Sequence, residues 1–453
     1  MTKFKLKHLA ACIILAQAQT VHAEDLLTIY HQALGADPES KAAALNVEIT
    51  KEQTGQALGE MLPQLSGSAN WSKNENDNGR PSTRFNPNPS NYNGTRYYAS
   101  LNQSLFDFAK FWNWRRANTV EEQYNAENIE AQHALMQKVI VKYFEVLEAQ
   151  DQLYFYQTEK NAMEKRSEQV QKEFSKQLVK ITDVYLVESR VDLLKANEIE
   201  AETAVVTAKE ALKELTNTPF SELYQLRDNV QYMPLEGQLE QWIEVAKSEN
   251  PSLAAQIKAI EAAHDGVTVQ KSRFMPTVDL QLNYFDTNTG FQSQNLQSQN
   301  STQVGALNVS VPIFDGGVSI HRLFESEHKL ELAKNENEAK IRALVKETSD
   351  SFLSSNASVR RIEASQKALK SAVKSSEAAD MGFKKGVITI TDVLNAQQEQ
   401  FKAKRELSQA KYTYIKHRAR FMRSVGMITE QNIEEVNNWL QPKAQPVVNL
   451  SVN

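Results

Sequence analysis

Cysteine is nearly absent. The 453-residue chain has one, Cys12, and it sits in a segment that reads as a removable leader. Lys3, Lys5 and Lys7 precede an apolar run from Leu9 to Ala16, and Val21-His22-Ala23 fits a small-residue cleavage site. Residues 1–23 are therefore expected to be a secretory signal peptide, with the mature chain starting near Glu24. Leu9-Ala10-Ala11-Cys12 resembles a lipobox, but a lysine-rich stretch lies upstream of the cysteine where an apolar segment is required. Cleavage after Ala23 discards the only thiol, which excludes disulfides and cysteine-based metal sites. It also removes three lysines and no acid, taking the formal charge from −5 to −8.

Long apolar runs are missing too. No stretch approaches the roughly 18 residues that a membrane-crossing helix needs, which excludes a polytopic helical membrane protein. A transmembrane β-barrel is not excluded, because its strands are short and alternate in polarity. A basic surface is lacking, so nothing points to a nucleic-acid partner. Catalytic and metal-binding signatures are also lacking. The eight histidines include no HExxH pair, and His321 and His328 are two helical turns apart, too far to share a metal easily. Gly266 to Ser272 has a phosphate-loop look but lacks the glycine before Lys271 and falls in a helical stretch. No enzyme activity, cofactor or metal is expected.

What the chain has is repetition. Asp37-Pro38 returns as Asn250-Pro251 and Met61-Leu62-Pro63-Gln64-Leu65 as Phe274-Met275-Pro276-Thr277-Val278, both offset by 213. Leu105-Phe106-Asp107 answers to Ile313-Phe314-Asp315 at 208, and Ile181-Thr182-Asp183-Val184 returns unchanged as Ile390-Thr391-Asp392-Val393 at 209. The mature chain is a tandem duplication of about 210 residues, far longer than a solenoid repeat. Each half reads as helix, two strands around a loop, long helix, tight turn and helix.

The strands alternate with period two. Leu65, Gly67, Ala69 and Trp71 oppose Ser66, Ser68, Asn70 and Ser72, and the partner strand opposes Tyr97, Ala99, Leu101 and Leu105 to Tyr98, Ser100, Asn102 and Ser104. The second half repeats this with Val278, Leu280, Leu282 and Tyr284, then Leu307, Val309, Val311 and Ile313. Runs of about 10 residues match tilted bilayer-crossing strands. The polar loops near 76–95 and 288–302 fit an extracellular end. The stretches from Asp107 to about Gln171 and from Val318 to about Met381 contain neither proline nor glycine and favour continuous helix. Some 65 residues at 1.5 Å each span on the order of 100 Å. The helix after the first turn carries a heptad seam of Val184, Val191, Glu198, Val205 and Leu212 beside Val187, Leu194, Ala201, Ala208 and Leu215. Its counterpart carries Val393, Gln400, Leu407, Tyr414 and Phe421 beside Ala396, Ala403 and Ala410.

Four amphipathic strands cannot enclose a barrel, and an open edge is not tolerated in lipid, so closure needs several chains. Two would give eight strands and a side-chain-filled interior; three give twelve and a lumen. The expected domain plan is a first repeat over 24–216 (strands 65–75 and 95–105, helices 107–175 and 183–216), an equatorial segment over 217–250, and a second repeat over 251–425. The second repeat holds strands 277–286 and 303–313 and helices 316–382 and 391–425, and a C-terminal equatorial segment covers 426–453. Asp183 and Asp392 occupy equivalent turn positions, where a trimer places six carboxylates around a tunnel mouth and favours cations. Helix capping by the same side chains is the alternative, and both roles are compatible.

Asp37-Pro38 and Asn250-Pro251, Leu62-Pro63-Gln64-Leu65, Leu105-Phe106-Asp107, Pro312-Ile313-Phe314-Asp315-Gly316-Gly317 and the two Ile-Thr-Asp-Val turns together resemble the TolC family of outer-membrane channel proteins, over nearly the whole mature chain. The resemblance implies an α+β membrane protein: a homotrimeric 12-stranded β-barrel in outer-membrane lipid, continued by a periplasmic α-helical barrel of coiled-coil hairpins. It implies a passive exit duct for multidrug efflux or type I protein secretion, working with a periplasmic adaptor (membrane fusion) protein and an inner-membrane ABC, RND or MFS transporter. By the same resemblance the family's constricting aspartate matches Asp392 and its second aspartate ring falls on Asn395. A latch tyrosine falls on Phe383 and a latch arginine on Ile388, while the hydrogen-bond partners Thr182 and Asp183 remain. Lys180, Lys384 or Lys385 are candidates to replace the lost links. The competing readings are a periplasmic adaptor, which would not show four membrane-length amphipathic strands or two equivalent hairpins, and an exported coiled-coil structural protein, which would show no single-channel conductance.

Overall fold

The computed structural model describes residues 24–75, 91–220, 222–288 and 299–442. The expected leader and most of both polar loops lie outside the described residues. Within them, α1 (Leu26–Ala36) and α2 (Pro38–Gly59) lead into β1 (Gln64–Glu75) and β2 (Asn91–Phe106), then α3 (Phe108–Ser175) and α4 (Ile181–Thr216). After β3 (Gln225–Leu226) the series recurs as α5 (Leu239–Glu249), α6 (Pro251–Ser272), β4 (Thr277–Asn288), β5 (Gln299–Ser310), α7 (Val318–Lys384) and α8 (Ile390–Ser424). Helix α9 (Glu430–Asn437) and β6 (Leu440–Gln441) follow.

The repeated dipeptides have one local cause. Asp37 and Asn250 each end one helix and cap the next, accepting from the backbone N–H of Ser40 at 2.8 Å and Leu253 at 3.2 Å. The proline that follows occupies the first helical turn, where its missing N–H costs nothing. Asp107 caps α3 in the same way, accepting from Lys110 N–H at 3.1 Å. Helix α3 then runs for 68 residues, about 100 Å at 1.5 Å per residue.

The four longer strands form one antiparallel sheet in the order β1-β2-β4-β5. The two hairpins superimpose on the repeat offsets, since Gly67 faces Ala99 in one and Leu280 faces Leu307 in the other. The central β2–β4 seam joins the repeats, with Leu101 opposite Leu282. Its polar face is cross-linked: Asn283 Oδ1 accepts from Ser100 Oγ at 2.7 Å and Tyr98 Oη at 3.1 Å, and Asp279 accepts from Ser104 at 2.9 Å. A β-bulge between Ser104 and Phe106 breaks the alternation and brings Phe106 opposite Val278. The outer strands β1 and β5 each keep one side without a ladder partner among the described residues. Strand β5 stops at Ser310, short of the expected 313, just before Pro312, which has no N–H to offer a ladder.

The long helices pair as hairpins, α3 with α4 and α7 with α8, and α8 also packs along α3. The heptad seam of α4 is buried at Val184, Val187, Val191, Leu194, Ala201, Leu212 and Leu215. Glu198 interrupts that seam and is met by Lys160 of α3 at 2.6 Å, a polar pair that fixes helix register. Midway along the helices a collar gathers the chain's largest core, where Leu26, Ile29, Tyr143, Phe144, Leu212, Tyr414 and Ile433 pack together. There β3 pairs with β6, and Tyr143 donates from a hydroxyl placed 3.1 Å from both the Glu24 and Tyr224 carbonyls. Burial pushes the Tyr143 hydroxyl far up, so it is neutral and a fixed donor.

Candidate functional site at the hairpin tips

Both hairpins turn through a residue in the left-handed region, Gln177 at φ 61 in the first and Gly386 at φ 75 in the second. These positions are equivalent in the duplication, offset by 209. In each, the helix end is closed by paired bonds: Leu178 N–H to Glu173 O at 2.9 Å and Val387 N–H to Gly382 O at 2.9 Å. The following helix starts on a carboxylate cap, reciprocal only in the second hairpin. Asp183 accepts from Lys180 N–H at 3.1 Å. Asp392 accepts from Thr389 N–H at 3.1 Å and Thr389 Oγ1 at 2.7 Å, while Thr389 Oγ1 accepts from Asp392 N–H at 3.3 Å. The Thr389 hydroxyl and N–H hold the Asp392 carboxyl below its ordinary range, so it is anionic at neutral pH. Asp392 is exposed and Asp183 half-exposed. Both are caps, and both leave charge on the surface of the turn.

Just behind the turns the two hairpins share one apolar cluster. Met163 and Val170 of α3, Val184, Val187, Val191 and Leu194 of α4, and Ile390 and Leu394 of α8 pack together, with Phe383 against them. Phe383 is thus a packing residue. Ile388 lies over Gly382 of its own hairpin, and Thr182 and Asn395 are exposed. The structure brings Phe383 and Ile390 to one cluster, but Thr182, Asp183, Asp392 and Asn395 meet in no shared contact among the described residues.

The polar links between hairpins lie elsewhere. Arg166 of α3 forms a salt bridge to Asp380 of α7, its guanidinium carbon 5.9 Å from the Phe383 ring centre. The Lys384 ammonium joins from the other side, 2.7 Å from Asp380. Lys384, then Arg166, pull the Asp380 carboxyl below the usual range. The Arg166 side chain is only 9% exposed and that of Asp380 27%. Farther from the tip the same α3 face meets α8 through Glu159–Arg405 at 2.6 Å, Glu148–Lys416 at 2.7 Å and Glu130–Arg423 at 2.6 Å. Asp151 accepts from both Ser408 and Tyr412. Five links thus rivet one hairpin to the other from collar to tip. The Glu159 side chain is 4% exposed, so this link is desolvated and strong only while paired.

Sequence reading passed over Arg166, Asp380, Glu159 and Arg405. They carry no local signal: Arg405 lies off the α8 heptad seam, and no such seam marks Glu159, Arg166 or Asp380. Pairing them required knowing that α3 docks on the second hairpin.

A family model described as "Outer membrane efflux protein" matches residues 29–218 and 242–427, which are the two repeats with the collar segment between them omitted. The chain is 30% identical over 429 residues to outer membrane protein TolC of Vibrio cholerae, covering 94% of this chain and 95% of that protein. It is 27% identical over 436 residues to the alkaline protease secretion protein AprF of Pseudomonas aeruginosa, covering 94% and 90%. Among solved structures, the CmeC outer membrane channel of Campylobacter jejuni superimposes with a TM-score of 0.78 at 16% identity, over 92% of this chain and 90% of that one.

Proposed function

The chain belongs to the outer membrane efflux protein family and is an outer-membrane efflux and secretion channel; from that premise we propose that it works as a passive homotrimer, closed at the hairpin tips. The carrying observation is the open four-stranded sheet, apolar on one face and hydrogen-bonded across the other, with β1 and β5 unpaired at its sides among the described residues. Such edges are not stable in hydrocarbon, so copies must join side to side. Three copies give twelve strands around a wet interior, and the helices of about 100 Å prolong that interior away from the membrane.

The tips then face the inner membrane, and an energised inner-membrane transporter and a periplasmic adaptor supply cargo and drive. The family's description as an efflux protein and one relative's name as a protease secretion protein support either small molecules or polypeptides as cargo. The gate consists of the caps Asp183 and Asp392 as a ring of negative charge, with Thr182 and Asn395 on the exposed rim. Phe383 and Ile388 hold the turns by packing. The resting tip is held shut by the Arg166–Asp380–Lys384 group and the Glu159–Arg405 pair, in place of the links lost at Phe383 and Ile388. Purification from outer membranes, mass measurement and planar-bilayer recording test this reading. A three-chain particle with low resting conductance is expected; a one-chain particle or one that never conducts overturns it.

A further inference from the structure

The apolar face of the sheet does not end at the last strand residue. The bulge returns Phe106 to the side of Val278, and the Phe106 ring meets that of Phe108 with centres 5.1 Å apart. Phe111 and Trp112, one turn on, stand edge to face at 5.9 Å, and the guanidinium of Arg115 lies 4.9 Å over the Trp112 ring. On the opposite side of α3, Lys110 reaches Ser104 at 3.2 Å, on the polar face of the sheet that carries Asp279. Phe108, Phe111, Trp112 and Arg115 fall within about one third of the helix circumference, away from Lys110. They therefore continue the lipid-facing side. A groove of about 370 Å³ opens at this junction, lined by Met61, Leu105, Phe106, Phe108 and Phe111, with Ser104, Asp107 and Lys110 as its polar members.

The order along the axis is aliphatic strand, aromatic rings, then cation. Arg115 stands eight residues past Asp107, about 12 Å along the helix, against a headgroup layer of roughly 5–7 Å on each side of the hydrocarbon. Its side chain spans the remainder. Arg115 is 58% exposed, and its ion pair, with Asp265, is 3.8 Å long, beyond hydrogen-bond range; Thr119 already donates to that carboxylate at 3.2 Å. Arg116, the next residue, is exposed and rests its stem on Gly266. Between Phe106 and Val120 the chain carries Lys110, Arg115 and Arg116 against Asp107 alone, in a protein whose formal charge is −5. The duplicated positions in the second repeat, offset by 208, are Gly316, Ser319, Ile320 and Leu323. The fold therefore does not require this ladder.

The geometry points to a binding site for anionic phospholipid of the periplasmic leaflet at the start of α3: the groove takes the upper acyl chains, Trp112 sits at the glycerol level, and Arg115 with Arg116 takes the phosphate. Zwitterionic lipid shares the phosphate but brings its own ammonium, so the two arginines favour a net negative headgroup. The site rests on the membrane orientation given above.

Native mass spectrometry on the full-length protein, titrated with phosphatidylglycerol or phosphatidylethanolamine, tests it, with bilayer conductance recorded on the same preparation. Phosphatidylglycerol is expected to be retained preferentially by about thirtyfold, each arginine contributing about fivefold. The double variant Arg115→Gln, Arg116→Gln abolishes the preference, Arg115→Lys, Arg116→Lys keeps most of it, and Arg322→Gln on α7 leaves it unchanged. Equal retention of the two lipids by a conducting wild-type channel overturns the site and leaves the channel reading intact. A double variant that loses subunits but keeps its lipid preference also overturns it, because the arginines would then be serving the neighbouring chain. A wild-type protein that neither conducts nor enters membranes overturns the channel reading itself.

Discussion

Replacing Asp380 with asparagine keeps the size of the side chain and removes its charge. In the tip, proposed above to be closed, that charge faces two cations, Arg166, almost wholly enclosed, and Lys384, largely exposed. Severing a fully buried pair costs about 3–5 kcal/mol, because one ion is stranded, and severing an exposed one costs about 0.2–1 kcal/mol. Arg166 lies near the first limit and Asp380 between them, so about 2 kcal/mol per subunit is a discounted figure. At 1.4 kcal/mol per factor of ten, the closed arrangement of each subunit loses about thirtyfold in relative population. Single-channel recording reads this directly: D380N and R166Q should both show raised, fluctuating conductance, and K384Q a much smaller change. The double variant R166Q/D380N should open little further than either alone, since both sever one contact. The pair also sets an acid limit. The folded carboxyl titrates below its unfolded value, so its contribution is complete above the ordinary aspartate pKa of about 3.9 and fades as pH falls through the lower folded value. Resting conductance should therefore be flat through neutral pH and rise only in strong acid. A D380N channel as quiet as wild type, or strict additivity in the double variant, refutes the reasoning.

Asp392→Ala removes both the cap and one set of carboxylates at the mouth. Conductance should rise and block by multivalent cations should weaken, with a small stability loss from the cap, read in bilayer titrations and thermal unfolding. Gln177→Gly should stabilise the first turn by up to about 1 kcal/mol by relieving a left-handed non-glycine residue, while Gly386→Ala should cost a similar amount; proteolysis at the tips distinguishes them. Gly426→Ala is expected to impair assembly, because a Cβ there would meet the Glu249 carbonyl oxygen at 2.4 Å and the backbone already sits at φ 73. Trimer yield from outer membranes measures the effect, and a normal yield contradicts it.

The features legible in the sequence are those with a local physical cause. Strand faces follow from period two, so Leu65 to Trp71 and Val278 to Tyr284 could be read directly. Caps follow from side-chain oxygens three residues ahead of orphan N–H groups, so Asp37, Asn250, Asp107 and the two Ile-Thr-Asp-Val turns stood out. The bulge at Ser104–Phe106 did not, because one unpaired residue leaves no mark on an alternation already broken by Gln103. Nor did the five links between hairpins, whose partners lie 214 to 293 residues apart. A charge on a helix face does not announce its partner, because the pairing depends on how two helices of about 100 Å are laid side by side. For the same reason Phe383, aligned by resemblance with a polar latch, is instead part of the apolar cluster that those links clamp.

The seam between β2 and β4 has a consequence beyond the single chain. One repeat meets the other there much as one whole polypeptide would meet the next in the proposed trimer, so the chain carries inside itself a pattern for that assembly. In the proposed trimer the duplication offsets carry Ala99 opposite Tyr284 and Leu101 opposite Leu282 to Leu307 and Val309, which places these two β5 residues at the joint with the next copy. A half-length chain obeying that one rule six times would close the same proposed ring as a hexamer.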